Sequence, residues 1–263
     1  MDNWIGILSA IISVTGAIVA GVLTTWSNRR SHEQSKAERA AQLLSRYREP
    51  LLLAANSLQS RIFNVIRDDY LPVYLHCGDR EQENYARRFT VYTLAEYLCW
   101  VEIIRRELRF LDLGAEEENR EFTRRLLAVT NTISSKEADE THFRLFRGQQ
   151  RALGELMMVR IAGSTEHECL TYPEFNRRLD EDAVFCQWFE RLLNDVDVIA
   201  DAPIDRNERL VRTQWALIDL IDFLDPAKVR LGADHREKYE WTAPSPAPST
   251  SPSSVVLRGG SAG

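Results

Sequence analysis

Residues Trp4–Trp26, WIGILSAIISVTGAIVAGVLTTW, form an apolar run of 23 residues without a single charged side chain. As a helix this run would be about 35 Å long, enough to cross a hydrocarbon core of roughly 30 Å with some tilt. Tryptophan stands at both ends, where its amphipathic ring settles at the level of the lipid headgroups. The run therefore predicts a transmembrane helix.

Two alternatives compete with a membrane anchor, a cleaved signal peptide and a buried helix of a soluble domain. A signal peptide begins with positive charge, has a shorter apolar core and ends in a small-residue cleavage site. This chain begins Met-Asp-Asn, and no such site precedes Trp26. The length of the run also exceeds what a buried helix needs, so both alternatives fit less well.

The charges that flank the run predict its orientation. No Lys or Arg precedes it, whereas Arg29, Arg30, Lys36 and Arg39 follow it. Because positive residues stay on the cytoplasmic side, we expect residues 1–3 outside the cell and everything after the run in the cytoplasm. The chain has 4 Lys against 29 Arg, which suggests GC-rich coding and hence a bacterial inner membrane.

Small residues recur at steps of three and four along the predicted span. Such spacing lets two helix backbones approach closely, although small residues can equally well face lipid. The pattern predicts a homo-oligomer whose contact residues are Gly6, Ala10, Ser13, Ala17, Ala20, Gly21 and Thr24.

The rest of the chain predicts an all-α protein. Residues 27–49 alternate charges like a solvated juxtamembrane helix, and residues 50–241 repeat apolar side chains with the helical period of coiled-coil-like bundles. A Pro/Ser-rich tail, residues 242–263, cannot bury a core and is expected to be disordered. The expected helices of the domain are 51–67 starting at Pro50, 82–113, 116–133, 148–161 stopped by Gly163, one after a capping box at Thr171–Glu174, and 205–224.

Composition and motifs exclude several functional classes. The net charge of −6 disfavours a nucleic-acid partner. Neither the phosphate-binding glycine motifs nor a zinc-ligand spacing occurs, so we predict no cofactor, no metal and no catalytic residues. On the reducing cytoplasmic side the cysteines should be free thiols; they are Cys77, Cys99, Cys169 and Cys186.

One charged cluster is a candidate ligand-binding site. In FRLFRGQQRALGE, a helix would place Arg144, Arg147, Arg151 and Glu155 on one face. Arginine forks so placed bind phosphate or carboxylate, whereas the alternative is a solvated face in which Glu155 pairs with Arg151.

Together these features favour a single-pass membrane protein that acts as a protein-interaction, scaffold or signalling module at the inner face of the membrane. The partners would be the lipid bilayer and another protein or a second copy. An alternative is a membrane-anchored effector or enzyme that acts on a small anionic or lipid-borne ligand through the arginine cluster. A transporter or pore subunit, a third class, would need an oligomer because a single span has no intramembrane charge.

Overall fold

A computed structural model describes Trp26 and residues 46–108, 117–136, 141–164, 166–201, 208–232 and 236–240. The predicted span lies outside this part of the chain except for Trp26, and so do the tail and residues 27–45. The same holds for the predicted contact residues Gly6, Ala10, Ser13, Ala17, Ala20, Gly21 and Thr24. None of the described helices is both long and apolar enough to cross a membrane.

The described chain is mostly helical, which confirms the predicted class. Helix α3 is the central element and packs against α2, α5, α6 and α7, while α4 packs against α8. The helices are α1 (46–67), α2 (Tyr70–His76), α3 (Arg80–Leu108), α4 (Glu117–Ser134), α5 (Arg147–Leu156), α6 (Tyr172–Glu181), α7 (Ala183–Asp201) and α8 (Glu208–Leu224).

A small β-hairpin follows α5, so the helix predicted over 148–161 is confirmed as far as Leu156 and wrong after it. Strands β1 (Met158–Arg160) and β2 (His167–Cys169) pair antiparallel. Gly163 has a φ of +76° and belongs to the turn between the strands, a conformation that favours glycine. Three-residue strands are too short to show a period-two pattern, which is why the sequence did not reveal them.

Two helix starts differ from the expected ones. Helix α1 continues through Pro50, which we had expected to begin a helix. Thr171 does precede α6, but its side chain makes no capping hydrogen bond, and Glu174 pairs with Arg177 instead. The capping box predicted there is therefore wrong.

A true capping box lies at the start of α3. The Asp79 carboxylate accepts the backbone N–H groups of Glu81 and Gln82, both at 2.9 Å. In return the Gln82 side chain accepts the N–H of Asp79 at 3.1 Å. These reciprocal bonds satisfy donors that the first helical turn leaves free, and they fix where the central helix begins.

The last described segment, residues 236–240, lies along α8 as an extended strap. The Gln214 side chain binds its backbone at two points, donating at 2.7 Å and accepting at 3.2 Å. The buried Arg236 guanidinium donates to the Asp225 carboxylate at 2.6 Å. Asp225 also accepts three backbone N–H groups of the chain reversal that follows α8. The folded unit thus continues beyond its last helix.

Helices α3 and α5 come into unusually close contact at Gly154. A Cβ atom on this glycine would lie 2.5 Å from the Leu98 carbonyl oxygen and 3.0 Å from the Cβ of Glu102. Only a residue without a side chain allows the two backbones to approach this far. The contact sets the position of α5 on the central helix.

We expect Gly154→Ala to lower the free energy of unfolding of the full chain by about 1–3 kcal/mol, because either α5 or α3 must move to make room. Gly148→Ala, on the same helix, is the matched control, since a Cβ there meets no atom within 4 Å. It should leave stability unchanged or raise it by up to about 1 kcal/mol. Urea unfolding followed by circular dichroism measures both, and equal midpoints would contradict the close contact.

Candidate functional site

An open groove with a volume of about 530 Å³ lies between α3, α4 and α5. Helix α5 contacts both α3 and α4 and supplies the third side of the groove. Its volume falls in the range of about 300–1,000 Å³ that is typical of sites for small ligands. Most of its wall is apolar and consists of Leu98, Val101, Ile104, Leu126 and Leu127.

Glu102 is the buried charge of this groove. Its side chain is only 2 % exposed although it carries a carboxylate. Arg105 holds it through both Nε, at 2.6 Å, and Nη2. Arg106 donates from Nε at 3.0 Å. A buried carboxylate requires such partners, because desolvation without them costs several kcal/mol.

These contacts determine the ionisation of Glu102. Burial alone would raise the pKa of its carboxyl group, but the hydrogen bonds from Arg105 and Arg106 outweigh burial and lower this pKa below its usual value. Glu102 is therefore an anion at neutral pH, and it orients the guanidinium groups around it.

Helix α5 contributes two more arginines to the groove. The Arg151 Nε atom lies 3.9 Å from Glu102. Arg147 donates to the Asn131 side chain of α4 at 2.7 Å, and within the described part of the chain it has no ion pair. Between them the buried Gln150 amide donates to the carbonyl oxygens of Thr130 and Leu145, at 3.0 and 2.9 Å. Gln150 thus attaches α5 to α4 at the closed side of the groove.

The arginine cluster predicted from the sequence is only partly assembled. Arg147 and Arg151 line the groove together. Arg144 precedes α5, and its guanidinium lies 5.7 Å from the Phe146 ring. Glu155 pairs with Arg106 at 2.8 Å and not with Arg151. The predicted stack of four side chains on one helical face is therefore reduced to two arginines that share a wall.

Sequence reasoning missed the residues of α3. Glu102, Arg105 and Arg106 follow the spacing i, i+3, i+4, which places them on one face of a helix. That spacing was available as a signal, but Glu102 stands between Val101 and Ile103 in a strongly apolar segment. Only the packing of α5 against α3 shows that Glu102 is part of the groove wall.

The charges of the groove do not balance. Its described lining includes three guanidinium groups, Arg105, Arg147 and Arg151, and one carboxylate, Glu102, a net charge of +2. The nearby Arg106 and Glu155 compensate each other. Positive charge next to an apolar wall is suited to a ligand that is both anionic and partly apolar.

Other polar clusters have structural explanations. The Asp195 carboxylate accepts the N–H of Phe143 at 2.8 Å and lies 3.4 Å from the His142 ring, so it holds the loop before α5. The described residues contain no group of three or more His, Cys, Asp or Glu arranged to hold a metal.

The four cysteines are free thiols, as predicted. The neighbouring Cys99 thiol and burial together raise the pKa of Cys169, which keeps this group protonated. A protonated thiol is a weak nucleophile, and the half-buried Cys169 packs as a small apolar side chain.

Comparisons with known proteins identify no relative. No protein-family model matches the chain, and neither a curated protein nor a solved structure matches it.

We expect Glu102→Gln to lower the free energy of unfolding by about 2 kcal/mol at neutral pH, since it removes charge-assisted hydrogen bonds. The folded pKa of Glu102 lies below the unfolded value of about 4.3, so the carboxylate stabilises the protein above that pH. Its contribution is lost as the pH falls through the folded pKa, and the difference between the variant and the natural chain should shrink there. Glu190→Gln, at an exposed position of α7, is the control. A difference independent of pH would contradict the ionised state.

Proposed function

We propose that this chain is a single-pass membrane protein whose helical domain binds an anionic, partly apolar ligand in the groove between α3, α4 and α5. In this proposal the protein is a signalling or scaffold module and not an enzyme. The span Trp4–Trp26 anchors it, and the domain lies at the inner face of the membrane.

The groove is the observation that carries the proposal. It combines an apolar wall with a net charge of +2 among its described lining residues, in a volume suited to a small molecule. The buried Glu102 fixes Arg105 before any ligand arrives, and Asn131 fixes Arg147. Side chains held in this way lose little entropy on binding, which favours affinity.

The anchor is supported by the sequence alone. The uncharged run between the two tryptophans has the length of a span, and the basic residues follow it on one side only. These patterns also support the inward orientation of the domain.

A protein partner is the second candidate for the groove. Leu127, in the groove wall, and Phe146, at the start of α5, are 46 % and 49 % exposed. Exposed apolar side chains beside a groove are typical of protein-binding sites. An enzyme acting on an anionic ligand would use the same arginines, and turnover of the ligand would distinguish it from a binding module.

We expect the full chain, in zwitterionic nanodiscs, to bind dodecyl phosphate more strongly than empty discs do. The double variant Arg147→Gln/Arg151→Gln should bind it about tenfold or more weakly, because two charge-assisted contacts to the phosphate are lost. Equilibrium dialysis with radiolabelled ligand measures the effect.

The matched control for this experiment is Arg177→Gln, on α6. Arg177 pairs with Glu174 and Glu181 at an exposed surface away from the groove, where an ion pair contributes little to stability. Its removal should leave binding unchanged. Equal binding by all three proteins, or no binding above empty discs, would contradict the proposed ligand class.

Self-association is tested separately in the span. Replacing Gly6, Ser13, Ala17 and Ala20 by Leu should dissociate the oligomer, because large side chains keep the helix backbones apart. The control replaces Ile11, Val19 and Val22 by Leu, on the opposite side of the helix at 3.6 residues per turn. Cross-linking in membranes reports the oligomer, and a natural chain that is already monomeric would disprove the prediction.

A further inference from the structure

We infer that the ligand of the groove is a phosphate-headed lipid taken from the inner leaflet, with an acyl chain against the apolar wall and the phosphate at the guanidinium groups. This inference rests on the proposed function and specifies the source of its ligand. Three features of the chain support it.

The first feature is the position of the groove near the point where the chain enters the domain. Tyr47, in the first described turn of α1, has its ring 6.4 Å from the ring of Trp100. Trp100 stands on the same turn of α3 as Leu98 and Val101, which line the groove. The groove and the point of entry therefore lie at the same level along α3, on different sides of the helix.

The second feature is the short connection between this entry point and the predicted span. Nineteen residues, 27–45, separate Trp26 from Arg46. Even fully extended, this connection covers at most about 70 Å, and as a helix it would cover about 30 Å. The entry end of the domain therefore stays within about 70 Å of the membrane surface.

The third feature is the match of charge. Arg29, Arg30, Lys36 and Arg39 lie in the connection, and basic residues next to a span attract anionic lipids of the inner leaflet. The groove offers the same sign of charge through Arg105, Arg147 and Arg151. Guanidinium forks bind phosphate oxygens in a bidentate manner, which an ammonium group cannot do.

The geometry of the groove also fits a lipid better than a soluble anion. A free phosphate would use the arginines but leave the wall of Leu98, Val101, Ile104, Leu126 and Leu127 exposed to water. An acyl chain covers that wall, and removal of apolar surface from water favours binding in proportion to its area.

The experiment uses the full chain in nanodiscs of phosphatidylcholine that contain a small fraction of a photoreactive lipid. One arm uses phosphatidic acid with a diazirine on one acyl chain, and the other uses phosphatidylcholine with the same chain. After irradiation, mass spectrometry locates the labelled residues. We expect label within 98–105 and 123–127 from phosphatidic acid, and at least fivefold less from phosphatidylcholine.

The double variant Arg147→Gln/Arg151→Gln should lose this label at least fivefold, whereas Arg177→Gln should keep it. Phosphatidylcholine carries its phosphate as a diester capped by cationic choline, so equal labelling of the groove by both lipids would overturn the preference for an anionic phosphomonoester headgroup. Label confined to residues 1–45 in both arms would overturn the lipid as ligand.

The dodecyl phosphate experiment separates this inference from the proposed function. Binding of dodecyl phosphate that depends on Arg147 and Arg151, together with an unlabelled groove, overturns the lipid source and leaves the ligand class standing. If dodecyl phosphate does not bind and the groove is not labelled, both proposals are overturned. A chain that fails to insert into the discs overturns them as well. If the groove is labelled in the natural chain and not in the double variant, both proposals are supported.

Discussion

The close approach of α5 to α3 is the contact on which the groove depends. Gly154 lets the α5 backbone lie against the Leu98 carbonyl, and the same approach covers Glu102. A carboxylate covered in this way must be paired, so Arg105 and Arg106 turn towards it. One missing side chain on α5 thus leads to an ordered set of guanidinium groups on α3. At this site the packing of α5 on α3 and the pairing of the charged side chains therefore depend on each other.

A short helix, α5, supplies the third side of the groove. Helix α5 has ten residues and reaches α4 only near Thr130 and Asn131, through Gln150 and Arg147. After Leu156 the chain turns into the β1–β2 hairpin.

The sequence predicted the features whose pattern lies within one helix, and it did not predict those that depend on contacts between distant segments. Helical periodicity predicted the class of the domain, and the spacing of Arg147 and Arg151 on one helix predicted that they act together. Arg144 was misplaced because it precedes the first residue of α5, Arg147, and so does not share a helical face with Arg147 and Arg151. Glu102 was missed because its role depends on a helix some fifty residues away in sequence, a contact that no local pattern contains. The Thr171–Glu174 motif failed for a related reason, since Glu174 has Arg177 and Arg178 as competing partners on its own helix.

The strap at residues 236–240 is the C-terminal end of the folded unit, so a shortened variant of the chain must include it. A boundary drawn at Leu224, the end of α8, would remove both Asp225 and Arg236, and with them the buried ion pair of the chain reversal that follows the helix. It would also free the Gln214 side chain, which is completely buried in the intact protein. An affinity tag or a fluorescent protein is therefore best attached after residue 240, where the Pro/Ser-rich sequence provides a natural spacer.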